Sequence, residues 1–182
     1  MVEINISNDE QIQRAKNIFY QIASSSELVE SLNSRSKKSS LSTGRLCAYA
    51  QDLNKQDEFV EQQLHVNSDA RKALRNLIMA SSNYHMNAVM AASTDTLPNR
   101  VGHNCKIRFE KSKAETDQVY IIVELINDKE LSPKLLIVCD EEGFCHQFDL
   151  PKIRNNICQL ISETNSKLLR LLMNPKSEVF IR

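Results

Sequence analysis

All four prolines and two of the three glycines of this 182-residue chain lie at or beyond position 98 (Pro98, Gly102, Pro133, Gly143, Pro151, Pro175), so Gly44 alone interrupts the first 97 residues. Proline removes a backbone donor and glycine adds backbone freedom. A proline-free stretch with apolar residues three and four apart runs as helices, whereas a repeatedly punctuated one suits hairpins. The sequence therefore predicts an α+β fold. A helical layer of about four or five helices covers 1–97, and a mainly antiparallel β-sheet with one short late helix covers 98–182, the two packed as one compact unit.

Local patterns fill in this division. Ser7, Asn8 and Asp9 supply cap chemistry ahead of Ile12, Ala15, Ile18, Phe19, Ile22 and Ala23, which share one helical face. After a break or fresh cap at Ser24-Ser25-Ser26, a short second helix carries Leu28, Val29 and Leu32. Residues 33–44 are rich in Ser and Lys with Leu41 their one large apolar side chain once the leading Asn33 is passed, which predicts a mobile loop. Helices follow near 41–54 and 56–65. A long one then runs from Asn67 or Ser68 to about Ala92 on the stripe Ala70, Ala73, Leu74, Leu77, Ile78, Ser81, Tyr84, Ala88 and Ala91. Beyond a junction at 93–102, Cys105–Glu110 alternates like a strand with one wet face, and Val119–Ile126 and Leu135–Cys139 read as inner strands. Turn chemistry at Glu141-Glu142-Gly143 joins the last of these to Phe144–Leu150 as a hairpin. Asn156–Ile161, a short helix stopped by Pro175 and Glu178–Arg182 complete the reading.

Composition narrows the function classes. Hydrophobic residues at 41% with charged residues at 25% are usual for soluble chains, and no apolar run reaches the ~18–20 residues of a membrane span. The acidic start lacks a secretory pattern, so a cytoplasmic address is expected. Lys plus Arg number 23, as do Asp plus Glu. Neither half is a polyelectrolyte, and dedicated binding of duplex nucleic acid, which needs phosphate neutralisation, is disfavoured. Five cysteines in a chain large enough to do without staples suggest reduced thiols.

Catalytic signatures are missing. With three glycines in the whole chain, neither a phosphate-binding loop nor a dinucleotide fingerprint can be written, and no cofactor is implied. His103, Cys105, Cys139, Cys145 and His146 are the soft groups that a metal would use. Only His103 and Cys105 approach knuckle spacing, and cysteines among Leu136, Ile137 and Val138 suit a core better than a ligand set. Cys145 and His146 are strand neighbours pointing to opposite faces, so they form no nucleophile–base pair by themselves.

Two segments remain for binding. Arg35, Lys37, Lys38 and Arg45 form a positive stretch with no interleaved aromatic, fit for an anionic surface or simply for solvent. Met79, Met86 and Met90, spaced by seven and four on the long predicted helix, form a second apolar line that is either interior or open to a partner. The function expected from these features is non-catalytic: an adaptor, chaperone-like or regulatory protein that contacts another protein or a second copy of itself. An enzyme with Cys and His residues gathered from distant segments is the alternative, followed by binding of nucleic acid or an anionic surface through residues 35–45.

Overall fold

The structure, a computed structural model, describes residues 6–35, 41–88, 99–126 and 133–182. It is α+β, with helices first and antiparallel strands after them, and it divides into two compact units, 1–81 and 82–182.

Among its described residues the first unit holds four helices: α1 (Ile6–Arg35), α2 (Thr43–Gln51), α3 (Glu58–Val66) and α4 (Ser68–Ser81). Caps set their starts. Ser42 Oγ accepts from the Arg45 amide at 3.2 Å, and the Asp57 carboxylate accepts from the Val60 amide at 3.1 Å. Arg71 closes the other end of α3, donating to the Leu64 carbonyl at 2.6 Å, where a cation also suits the negative end of the helix dipole. Val29, Leu32, Leu41, Leu46, Val60, Leu64, Leu74 and Ile78 form the buried apolar set of this unit. Ser25, Ala70 and Ala73 are buried with them, and such short side chains allow α1 and α4 to approach closely.

Helix α1 runs unbroken through the serine cluster that predicted an interruption. The Ser25 hydroxyl donates to the Gln21 carbonyl one turn back (2.7 Å) and reaches the Ala73 carbonyl of α4 (3.2 Å), so it is satisfied without opening the helix. The predicted loop over 33–44 is likewise corrected at both ends: α1 extends to Arg35, Leu41 is 2% exposed, and Ser42 is a cap. Residues 36–40 lie outside the described ones.

Among its described residues the second unit carries eight strands and one helix: β1 (Tyr84–Met86), β2 (Arg100–Gly102), β3 (Cys105–Lys111), β4 (Gln118–Leu125), β5 (Leu135–Cys139), β6 (Cys145–Asp149), β7 (Ile157–Glu163), α5 (Lys167–Met173) and β8 (Glu178–Ile181). They form two antiparallel sheets, ordered β1-β8-β5-β6 and β2-β3-β4-β7. Alternation places Ile107, Phe109, Ile121, Val123, Leu136, Val138, Val179 and Ile181 in one core, against which Leu169 and Leu172 of α5 are buried. A carboxylate shapes the β5–β6 turn: Asp140 Oδ1 accepts from the Glu142 and Phe144 amides, and Gly143 adopts φ 86°.

The helix predicted to reach Ala92 ends at Ser81, and the boundary lies there rather than at 97. Ser81, Ser82 and Asn83 are poor helix formers whose side chains compete for backbone groups. Past them the Asn83 amide donates to the Ile181 carbonyl at 2.9 Å, and Tyr84, His85 and Met86 pair with Ile181, Phe180 and Val179. Tertiary pairing with β8 thus outweighs a helical period that continues in the sequence.

Two residues hold this unit together in ways that periodicity does not reveal. Gly102 sits where a Cβ would come within 2.5 Å of the His85 carbonyl and 2.7 Å of Met86 Cγ, so β1 and β2 can approach only over a glycine. Arg100 is 2% exposed, and its guanidinium donates to the carbonyls of Leu172, Asn174 and Ser177 and to Ser177 Oγ. It thereby ties β2 to the end of α5 and the turn into β8.

Candidate interaction surface

The methionine line does not exist as a line. Met79 lies half-buried on α4, Met86 is fully buried on β1, and Met90 falls outside the described residues. The end of α4 at Ser81 places the first two in different elements, so no helical face can present them together.

The positive segment is also redistributed. Arg35 is the last residue of α1, and its side chain, Lys37 and Lys38 lie outside the described residues. Arg45 is engaged internally: Nε and Nη2 donate to the two Asp57 oxygens at 2.8 and 2.7 Å, and the guanidinium stands 4.7 Å from the Phe59 ring centre. That pairing holds the Asp57 carboxyl below its ordinary pKa, helped by the Val60 amide.

The metal candidates are separated by the fold. Cys139 and Cys145 face each other across the β5–β6 hairpin, Cα atoms 4.0 Å apart, and are joined as a disulfide, which corrects the expectation that all five thiols are reduced. The hairpin turn supplies the reason: residues six apart in sequence become register partners, and non-hydrogen-bonded antiparallel pairs bring Cα atoms closest. Cys105 points into the core with its thiol pushed up to about 11 by burial, while His103 is exposed in the β2–β3 turn beside a surface hollow of about 580 Å³ also lined by His85. His146 is half-buried on β6. Its pKa is lowered mainly by burial, then by Lys167, with Asp140 pulling the other way. Among the described residues no three His, Cys, Asp or Glu side chains converge as a metal would need.

What the structure does present is an uncovered apolar face on α1. Thirty residues at about 1.5 Å each make α1 about 45 Å long, whereas α4, with which it makes its main packing, spans about 21 Å from its 14 residues. The helix outruns its support. Every side chain from Gln11 to Asn17 is exposed, and burial begins only at Ser25. Ile12 is 45% exposed, Phe19 73% and Ile22 42%.

Ile12, Ala15, Phe19 and Ile22 are spaced by three, four and three, so they form one line on the helix. At about 100° per residue, that line stands about a quarter turn round the axis from Ser25, Val29 and Leu32, the buried residues of α1. Its edge at Ile22 stands within about 20° of the buried Val29, so the line adjoins the stripe packed in the bundle. Continued toward the C-terminus, the same line passes through Ser26, the buried Val29 and Asn33. There the chain's own 41–43 segment covers it: Ser26 Oγ lies 3.4 Å from Thr43 Oγ1, and Asn33 Nδ2 donates to the Leu41 carbonyl at 2.8 Å. Isolated exposed apolar residues are ordinary on any surface, and Val66, Val101 and Ile126 are of that kind. A contiguous run at helical spacing is not.

The sequence revealed the face but not its exposure. Helical spacing identifies Ile12, Phe19 and Ile22 as one side of a helix, and only the lengths of α1 and α4 show that nothing in the described unit lies over it. No helix among the described residues is long and apolar enough to cross a membrane. The chain matches no known protein-family model, no curated protein and no solved structure.

Proposed function

We propose that this protein acts without catalysis, by protein–protein contact, and that the working surface is the α1 line of Ile12, Ala15, Phe19 and Ile22. The observation that carries the reading is the exposure of that line, Ile12 at 45%, Phe19 at 73% and Ile22 at 42%, on the part of α1 that outruns α4. Leaving a large apolar side chain in water forgoes roughly 1.5–3 kcal/mol relative to burying it, and a rigid helix loses little further entropy on docking. An amphipathic helix presented in this way suits a helical partner, read through anchors at i, i+3, i+7 and i+10.

The test compares the natural chain with Phe19→Glu, both expressed at native level, by size-exclusion chromatography of gently lysed cells. The natural chain should elute in an assembly larger than the free protein, and the variant as the free protein. Elution of both at the free size, or of both in the same assembly, overturns the reading.

A further inference from the structure

We infer that the Cys139–Cys145 bridge is a reversible dithiol–disulfide couple, open to a small thiol reductant in the folded protein, and that reduction loosens the tip of the β5–β6 hairpin while the rest of the second unit stays folded. The bond joins residues that the fold has already paired. Val138 pairs with His146 on one side of this rung, and on the other the Asp140 amide donates to the Phe144 carbonyl at 3.0 Å. The turn beyond is closed by the Gly143 amide on the Asp140 carbonyl (3.0 Å) and by Asp140 Oδ1, which accepts from the Glu142 and Phe144 amides at 3.0 and 2.9 Å. A disulfide restrains the unfolded chain more as the loop it closes grows, and the ends of this one are six residues apart. The hairpin therefore keeps its register without the bond.

The two sulfurs differ in access. Cys139 is 1% exposed and lies on β5, an inner strand paired with both β6 and β8, where it stands opposite Glu178. Cys145 begins β6, the edge strand of the same sheet, and is partly exposed. A reducing thiolate thus reaches Cys145 Sγ first. It bonds to that sulfur as the S–S bond breaks, the bonding pair leaves on Cys139 Sγ, and Cys139 takes up a proton. In a dithiol the second thiolate then attacks the reductant's own sulfur in the mixed disulfide, and Cys145 leaves with the electron pair and takes up a proton. Two electrons and two protons pass to the protein, and the dithiol closes to a cyclic disulfide. Cys105 and Cys158 are buried on strands of the other sheet and Cys47 lies in the first unit, so no third thiol on the hairpin diverts the exchange. Freed thiols cannot stay at bonding distance, so β6, paired on one side only, gives way and β5 does not. The turn leading into β6 carries Glu141, whose carboxylate meets Lys176 Nζ at 2.6 Å between α5 and β8. Reduction therefore reaches that contact as well.

The experiment is a redox titration of the purified full chain, without denaturant, in mixtures of reduced and oxidised dithiothreitol near neutral pH. Samples are quenched with acid and alkylated in denaturant, mass spectrometry counts the thiols, and circular dichroism and amide NMR follow the fold. The count should rise from three to five as the reduced form increases and return to three in the oxidised mixture. The circular dichroism spectrum should not change, and shifted amide signals should be confined to residues 138–146 and the surroundings of Lys176. Reduction should be less than about a hundredfold slower than in urea, whereas attack that waits for global unfolding is slowed by the unfolding equilibrium, about a thousandfold or more. With glutathione in place of the dithiol, the trapped adduct should map to Cys145. A bridge that opens only in denaturant, a sheet spectrum lost on reduction, a count that does not return to three, or glutathione on Cys139 overturns the inference.

Discussion

Phe19 and Ser26 lie seven residues apart on one line of α1, and it is the serine that the chain covers, its hydroxyl 3.4 Å from that of Thr43, while the phenylalanine is 73% exposed. Burial normally sorts these two residue types the other way. The consequence for stability is direct. Phe19→Glu should alter the unfolding free energy of the isolated chain by no more than about 0.5 kcal/mol, because it removes no packed contact. Chemical denaturation of the variant at low protein concentration checks this, and a loss of several kcal/mol would place Phe19 in a core.

Gly102 should tolerate no side chain. With a Cβ forced to 2.5 Å from the His85 carbonyl, Gly102→Ala must push β1 away from β2, and the expected cost is about 1–3 kcal/mol, the usual range for overpacking. Denaturant unfolding followed by circular dichroism reads the change.

Arg100 is the other point of high sensitivity. Replacing it by Met keeps apolar bulk but takes the guanidinium from the Leu172 and Ser177 carbonyls, and each buried acceptor left unmet costs about 1–3 kcal/mol. Arg100→Lys should rescue little of the loss, since a single ammonium cannot reproduce the planar fork. Melting temperatures of the two variants should fall together, and a fully stable Lys variant would contradict this account.

Three free thiols and one disulfide define the cysteine inventory. Protein purified without reductant and then denatured should titrate three thiols, rising to five after reduction. In the native state Cys105 and Cys158, both pushed up to about 11 by burial, should resist alkylation near neutral pH. Five thiols before reduction would show that the hairpin is not bridged.

His146 makes stability fall on the acid side. Its folded pKa lies below the unfolded value of 6.5, so as pH drops through 6.5 and then through the folded pKa, the unfolded chain takes up the proton first and gains on the folded one. The contribution is absent as a penalty above about pH 7 and grows below it. Urea midpoints measured downward from neutral pH should decline, and His146→Gln should remove part of that slope.

Much of this fold was legible because its signals are local. Alternation in β3 and turn chemistry at Gly143 act within a few residues, whereas the cap at Ser42 lay inside a stretch read as loop. The errors arose where a distant partner decides. Tyr84 to Met86 keep the helical period yet pair with β8, nearly a hundred residues later, and this dissolved the methionine line. The serine cluster in α1 depended on Ala73, far along the chain, and Cys139 met Cys145 only once the hairpin formed. The exposed face itself was visible as a spacing, but exposure is a property of which helix outlasts which, and that belongs to the assembled unit.

Radical footprinting of Phe19 and Tyr20 tests the central claim most directly. In the free chain the two rings are almost equally exposed, 73% and 74%, but only Phe19 lies on the apolar line; Tyr20 stands about 100° away round the helix. Labelled in dilute solution and again in the associated state, Phe19 should lose most of its labelling and Tyr20 should keep most of its own. Equal labelling of both in the two states, or protection of Tyr20 with Phe19 left open, would contradict the assignment of this face.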